Sequence, residues 1–285
     1  MQAHGKYEGL DRLPWAQLRL PPFPLVAIRV LQLANDENVQ LHQLSELISS
    51  DSAFASEVLM VANSVLYSPR YPSSSILQAI AVLGENTLQG MCITVGVRAY
   101  MGKSMSDPAM QTLWRHNLAC ALLSERMAAA GFLDKDTAYT AGILHDIGRV
   151  ALAVIEPKEY GRLLDEHKGT PESILVREEE LLGWDHCETG RRLIHEWKLP
   201  EGFEAVVSEH HQGRSGGAAW GMSELVKVSC RMADVLGFPA FKGCDREEFE
   251  ALLKELPERE RKGFCQIYET LAAEIAEGVH AIESL

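Results

Sequence analysis

Apolar residues recur at spacings of three and four along nearly every long segment of this 285-residue chain. Phe54, Val58 and Val61 follow this spacing in one segment, and Leu118 and Leu122 follow it in another. The spacing gathers apolar side chains on one face of an α-helix, whereas a half-buried β-strand would alternate apolar and polar residues. The sequence therefore predicts an all-α protein built of many helices.

Breaks in the apolar pattern divide the chain into three segments. A stretch around residue 105, "GKSMSDPAM", predicts a boundary between an N-terminal helical subdomain, 1–105, and a second helical subdomain, 106–244. From residue 245 the chain is dense in charge, and its apolar spacing predicts two amphipathic helices separated by Pro257. We expect this tail, 245–285, to pack on the second subdomain with one face and to keep the other face in water.

Charge and apolar content limit the partners of the chain. It carries 27 Lys and Arg residues against 40 Asp and Glu residues, a formal net charge of -13, and no local basic patch, so we expect no direct contact with nucleic acid. No apolar run approaches the roughly 18 to 20 residues that span a bilayer, so we expect no membrane segment. Six cysteines scattered without a CxxC pair and a polar start predict a cytoplasmic protein with reduced thiols.

The stretch "AGILHDIGRV", residues 141–150, places His145 and Asp146 within an apolar helical segment. Burying an imidazole and a carboxylate is costly unless they are paired or bound to a metal. Further histidines and one aspartate stand in similar surroundings elsewhere in the second half. The candidate metal ligands are His116, His145, Asp146, His186, His210, His211 and Asp234.

These ligands are numerous enough for two ions. Neighbours on a helix diverge by about 100°, so His145 and Asp146 suit two adjacent ions, with Asp146 as the bridge, better than one. Imidazole and carboxylate without a thiolate favour iron or manganese. Such a centre activates a bridging water and holds a phosphoryl oxygen, which is the chemistry of phosphoester hydrolysis. Arg149, one turn after His145, could contact phosphate, so Asp146 and Arg149 are the candidate catalytic residues.

The order of these sites resembles the HD superfamily of metal-dependent phosphohydrolases. The "ANS" at residues 62–64 and the "AIAVLG" at residues 79–84 resemble more closely the HDOD family of that superfamily. This resemblance implies two closely packed helical halves and a bacterial, cytoplasmic signalling protein, often without demonstrated catalysis. It also implies that all seven candidate ligands match metal-binding positions of the similar HD-GYP phosphodiesterases.

The sequence departs from those phosphodiesterases at two points. Arg149 stands where they carry a lysine, and a guanidinium fork differs from a point charge. The stretch after His211, "QGRSGGAAWG", has no Gly-Tyr-Pro signature, so specificity for cyclic diguanylate is not implied.

Three functions follow as hypotheses. In the first, the chain is a regulatory protein that holds two divalent ions and acts through a signalling partner. In the second, it hydrolyses a nucleotide or cyclic nucleotide phosphoester with those ions. In the third, the histidines and aspartates form a metal-free polar network that fixes the packing of the second half.

Overall fold

The computed structural model describes residues 20, 22–33, 40–67, 69–131, 133–212, 220–245 and 247–284. These residues form fifteen α-helices, a 3-10 turn at Gly102–Ser106 and two short paired strands, which confirms the predicted all-α fold. The helices are α1 Leu25–Leu33, α2 Leu41–Ser49, α3 Ser52–Ala62, α4 Ile76–Leu83, α5 Glu85–Met101, α6 Pro108–Gly131, α7 Lys135–Leu144, α8 Ile147–Ile155, α9 Pro157–Glu166, α10 Ser173–Leu182, α11 His186–Glu196, α12 Gly202–Glu209, α13 Met222–Val235, α14 Phe249–Glu255 and α15 Glu258–Glu283. The parallel strands are β1 Lys168–Gly169 and β2 Gly243–Cys244.

Short polar side chains begin several helices by capping free backbone N–H groups. The carboxylate of Asp51 accepts from the backbone nitrogens of Ala53 and Phe54, both at 3.1 Å, at the start of α3. Asp134 accepts from Thr137 N at 2.7 Å at the start of α7. Each such cap stabilises a helix by about 1 kcal/mol, so Asp51 helps to set where α3 begins, and Asp134 helps to set where α7, which ends directly before His145, begins.

Helix α5 joins the two halves because its buried residues lie on every face. Twelve of its seventeen residues are buried. It packs against α1, α3 and α4 of the first half and against α7 and α8 of the second. A side chain at Gly96 would lie 2.7 Å from Ala27 Cβ, and one at Gly90 would lie 2.9 Å from Tyr139 Cδ1. One continuous core therefore runs through both halves, which are closely packed as predicted.

The C-terminal helices pack on α6 and α13. Pro257 separates α14 from α15, and the apolar face of α15, which includes Leu271 and Ile275, is buried. An ion pair from Arg115 on α6 to Glu283, at 2.7 Å, fixes the end of α15. The division into subdomains at residues 105 and 244 stays a prediction.

A stretch from Lys135 to Ile155, which contains α7 and α8, corrects one expectation from the sequence. Its length and mean hydropathy are sufficient to cross a membrane, although the sequence pattern predicted no such run. The pattern was misleading because the few charged residues in this stretch interrupt the apolar run without lowering its average greatly. Its apolar window is 89% buried inside the protein, as in the core helix of a globular fold.

Helices α8 and α11 approach each other closely at Gly148. A side chain there would lie 1.9 Å from the carbonyl oxygen of His186 and 2.5 Å from the backbone nitrogen of Gly190. Only glycine permits this backbone contact, since any Cβ would overlap the other helix. The contact brings the beginning of α8 against the beginning of α11, and both ends carry predicted site residues.

Candidate metal centre

Helix ends deliver most of the predicted ligands to one place. His145 follows α7, and Asp146 leaves helical geometry (φ -101°, ψ 22°) before α8 begins, so the chain turns between the two side chains. His186 is the first residue of α11, and His210 and His211 directly follow α12. Residues at helix ends are not held to the regular angular spacing of a helix interior, so neighbours in sequence can face a common centre.

The structure arranges candidate ligand atoms in two adjoining groups. Within each group the atoms lie within 4.8 Å of one another. Group A contains His116, His145 and Cys230, and group B contains Asp146, His186, His210 and His211. All seven side chains are buried, and the most accessible is His211, at 9%. Six of the seven predicted ligands therefore lie together, whereas Asp234 belongs to neither group; that they bind metal stays a prediction.

Three imidazoles are held from behind by acceptors. The Nδ1 of His116 lies 2.8 Å from the carbonyl oxygen of Phe238, and the Nδ1 of His145 lies 2.7 Å from that of Gly142. The Nδ1 of His186 lies 2.6 Å from a carboxylate oxygen of Glu178. Because these oxygens only accept, each Nδ1 carries a proton, and in the neutral ring the Nε2 lone pair faces the centre. This is the tautomer that binds a metal through Nε2. Although burial and the charge of Arg149 oppose it, the Glu178 carboxylate raises the pKa of His186 to about 10, so this ring holds a second proton more readily than that of His145.

Glu178, on α10, is a site residue that sequence reasoning missed. It accepts from the backbone nitrogen of His186 at 2.9 Å as well as from its ring, and from the hydroxyl of Tyr160 at 2.6 Å. Its side chain is fully buried. The run "REEE" in which it stands is typical of a solvated helix face, so the sequence carried no signal that this acid faces inward.

Cys230, on α13, is the second residue that was missed. Its Sγ lies 3.4 Å from the Nε2 of His116, in group A. The expectation of iron or manganese assumed that no thiolate contributes to the centre. The structure places a sulfur there, because α13 crosses α6 at this point with Cys230 on its inner face.

Asp234 lies one turn further along α13, behind His116 rather than beside the centre. Its Oδ1 is 3.5 Å from the Nδ1 of His116 and accepts from the backbone nitrogen of Ala240 at 3.2 Å. Its Oδ2 accepts from the Cys244 thiol at 3.6 Å. This geometry suits a residue that orients His116, whereas the prediction of Asp234 as a direct ligand stays untested.

Arg149 reaches into group B. Its Nη2 donates to the Nε2 of His186 at 3.2 Å and to the Nε2 of His211 at 3.3 Å. Its Nε lies 3.1 Å from the Oδ2 of Asp146, an ion pair that is fully buried. The guanidinium therefore contacts three of the four predicted ligands in this group.

Burial and charge set the protonation of the centre. Burial lowers the pKa of His145 to about 3, although the neighbouring Asp146 carboxylate opposes the change. Burial, with His210 and His186 nearby, lowers the pKa of His211 well below its usual range. Burial alone would raise the pKa of Asp146, but the charge of Arg149 together with His145, His210 and His186 outweighs it and holds that pKa well below its usual range. At neutral pH, His145 and His211 are therefore neutral donors and Asp146 is an anion.

Two buried acceptor atoms that face each other fit a divalent cation. The Nε2 of His145 and the Oδ2 of Asp146 lie 3.6 Å apart and make no hydrogen bond among the described residues, although the Oδ2 is ion-paired with the Nε of Arg149 at 3.1 Å. Two buried acceptors that face each other with no proton between them are costly. A metal ion bound to both would remove that cost, which a metal-free network with these contacts does not.

A family model described as the HDOD domain matches residues 20–213 of the chain. A curated protein from Treponema pallidum (strain Nichols), named only as uncharacterised, is 24% identical over 197 residues. The match covers 67% of this chain and 37% of that longer protein.

Several solved structures have a similar fold. An HDOD domain protein of unknown function from Geobacter sulfurreducens has a TM-score of 0.70 at 23% identity, with 91% of this chain and 92% of that chain covered. A candidate signal transduction protein from Marinobacter aquaeolei VT8 has a TM-score of 0.70 at 20% identity, and the match covers 93% of this chain and 60% of that chain. A candidate metal-dependent phosphohydrolase from Shewanella amazonensis SB2B has a TM-score of 0.61 at 21% identity, and the match covers 94% of this chain and 92% of that chain. The similarity to these structures shows a shared fold, and the family match extends over more than half of the sequence. The chain belongs to the HDOD family.

Proposed function

We propose that this HDOD protein is a bacterial, cytoplasmic signalling protein that binds divalent metal at the centre formed by groups A and B and acts through contact with another protein. In this proposal the metal fixes how the helices around Asp146 pack and thereby sets the shape that the partner recognises. The observation that carries the proposal is the position of Arg149, whose guanidinium fills the space among Asp146, His186 and His211. A phosphoester substrate needs open ligand positions there.

The surface of the first half supports a role in protein contact. Seven of the nine strongly exposed large apolar side chains in the described part of the chain lie between residues 25 and 82. Tyr71 is 69% exposed, Leu25 59% and Val82 53%. Single exposed apolar residues are ordinary, but their concentration in the first half of the sequence favours this half as the one that contacts a partner.

A pull-down from the native host with metal-loaded and chelated protein tests this proposal. We expect one partner to be retained by the metal-loaded wild type and lost after chelation or in the triple variant Leu25→Ser, Tyr71→Ser and Val82→Ser. The matched control is Val176→Ser with Leu181→Ser, two exposed apolar residues of the second half. Equal capture by all of these proteins, together with measurable hydrolysis, would overturn the proposal.

The second candidate function is metal-dependent phosphohydrolysis of a nucleotide or cyclic nucleotide with two ions, iron or manganese. It is favoured by one observation: the Nη1 of Arg149 is buried without a hydrogen-bond partner among the described residues, so it is free to donate to a phosphoryl oxygen. In this function His145 and His116 hold one ion, the group B histidines hold the other, and Asp146 lies between them.

Hydrolysis of a panel of cyclic and linear nucleotides, with iron or manganese supplied, tests the second function. The control is a His145→Ala and Asp146→Ala double variant, which loses a ligand of each group. Turnover at least tenfold above this variant would favour catalysis. Turnover equal to that of the variant would leave the signalling proposal as the better one.

A further inference from the structure

We propose that the centre binds one metal ion through a thiolate ligand and supplies the second positive charge itself, from the guanidinium of Arg149. The ligands of the ion are His116, His145, Asp146 and Cys230. This inference rests on the metal binding in the proposed function and specifies its stoichiometry, its donor atoms and its preferred metal.

Arg149 occupies the ligand atoms that a second ion would need. Its Nη2 lies between the Nε2 atoms of His186 and His211, and its Nε lies against the Asp146 carboxylate. Because Glu178 holds the Nδ1 proton of His186, the Nε2 lone pair of that ring is already directed at the guanidinium. A divalent ion in group B would have to displace a fully buried arginine to which Asp146 is paired, or lie in direct contact with its charge.

His210 also has a role in the absence of a second ion. Its Nε2 lies 3.2 Å from the Oδ1 of Asp146. Its Nδ1 lies equally close, at 3.2 Å, to the carbonyl oxygen of Val206, so the contact with Asp146 is a hydrogen bond in the form of the ring that carries a proton on Nε2. In that form His210 holds the Oδ1 of Asp146, and the Oδ2, which lies 3.1 Å from the Nε of Arg149, keeps a second lone pair for an ion beside group A.

The three donor atoms of group A, together with the Oδ2 of Asp146 from group B, are the four ligand atoms of this ion. The Nε2 of His116 lies 3.4 Å from the Sγ of Cys230 and 4.0 Å from the Oδ2 of Asp146, which lies 3.6 Å from the Nε2 of His145. Tetrahedral zinc with bonds of about 2.0–2.3 Å sets its ligand atoms roughly 3.3–3.6 Å apart. Small movements of buried side chains would therefore complete such a shell.

The sulfur changes the metal that this centre prefers. Two imidazoles, a carboxylate and a thiolate form a mixed donor set that suits zinc, and cobalt as its spectroscopic substitute, better than manganese. This departs from the expected pair of iron or manganese ions because that expectation contained no thiolate. On binding, the thiol proton passes to solvent and the sulfur–metal bond forms, with no change of oxidation state.

Metal content of the intact chain tests the stoichiometry. The protein is equilibrated with zinc sulfate, desalted and analysed for zinc per chain, as wild type and as Arg149→Met and Arg149→Lys. We expect one equivalent in the wild type, two in Arg149→Met, which keeps volume but loses the charge, and one in Arg149→Lys. Circular dichroism identifies any variant that fails to fold, and in that case the wild-type count decides alone.

The cobalt spectrum tests the thiolate. Cobalt-loaded wild type should show a sulfur-to-metal charge-transfer band in the near ultraviolet, and Cys230→Ala should lose it. Cys92→Ala, which removes a buried cysteine of α5 outside both groups, is the matched control and should keep the band. A band that persists in Cys230→Ala, or no band in the wild type, overturns the inference.

The outcomes separate this inference from the proposed function. Two equivalents of zinc in the wild type overturn the inference and leave the metal binding of the proposed function in place. One equivalent in a folded Arg149→Met also overturns the assignment of Arg149 as the second cation. No zinc in either protein overturns both.

Discussion

The carboxylate of Glu178 accepts two hydrogen bonds from His186, one from the backbone nitrogen at 2.9 Å and one from the ring Nδ1 at 2.6 Å. The same carboxylate accepts from Tyr160, so α9, α10 and α11 are connected through one buried acid. Because these hydrogen bonds fix the orientation of the His186 ring, they also fix the position of its Nε2, the atom that Arg149 contacts.

Replacing Glu178 by Gln should therefore destabilise the fold strongly. The amide cannot accept from all three donors and leaves buried polar groups unpaired, a loss of about 3 kcal/mol. Tyr160→Phe is the graded control, since it removes one hydrogen bond and should cost about 1 kcal/mol. Urea unfolding measures the free energy of unfolding of each variant. Equal losses of that free energy in the two variants would contradict the role given to Glu178.

Gly148→Ala should disrupt the contact between α8 and α11. The new Cβ would lie 1.9 Å from the carbonyl oxygen of His186, an atom of backbone that cannot rotate away. Overpacking of this kind costs about 1–3 kcal/mol or more, and here it also displaces His186 from the centre. Gly202→Ala is the matched control, because a Cβ at that helical position meets nothing within 4 Å. Thermal unfolding should show a large fall in melting temperature for Gly148→Ala and no fall for Gly202→Ala.

The stability of the fold should depend on pH through Glu125. Burial raises the pKa of this carboxyl above its ordinary value of 4.5, although Arg126 and Lys135 oppose the change. The folded state therefore holds this proton more tightly than the unfolded state, and stability is lost as pH rises from 4.5 through the raised value.

Glu125→Gln should remove this effect. The variant should be more stable than the wild type at pH 7, and the difference should vanish below pH 4.5, where the carboxyl is protonated in both states. Exposed Glu166→Gln serves as the control. Melting temperatures measured across this range provide the comparison, and a variant that is less stable than the wild type at pH 7 would refute the assignment.

Removing metal should lower the melting temperature of the wild type. A ligand that binds only the folded state and is present at a hundred times its dissociation constant stabilises by about 2.7 kcal/mol. A chelator should therefore lower the melting temperature of metal-loaded protein by several degrees and have no effect on the His145→Ala and Asp146→Ala double variant. Identical melting curves for loaded and chelated wild type would count against a structural metal.

The helices and most of the site could be predicted from the sequence, because both leave local signals. The spacing of apolar residues indicates helices, and histidines within apolar segments indicate candidate ligands. The sequence could not show which of Cys230 and Asp234 lies on the Nε2 side of the His116 ring. The two residues are four apart on α13 and share a face, so the pattern admits either, and both in fact contact His116, from opposite ring nitrogens. The direction of the Arg149 side chain was also hidden, because it depends on His186 and His211, which reach it from other helices.

The all-round burial of α5 has a consequence for signalling. This helix contacts α8, which begins directly after Asp146, and it contacts the helices of the first half on its other sides. Packed interiors move between discrete arrangements rather than bending gradually. An ion at Asp146 and a protein bound to the first half would therefore act on one shared helix, and thermodynamic linkage requires each to change the affinity of the other by the same factor. Titrating metal in the presence of the partner would then measure the strength of the signal itself.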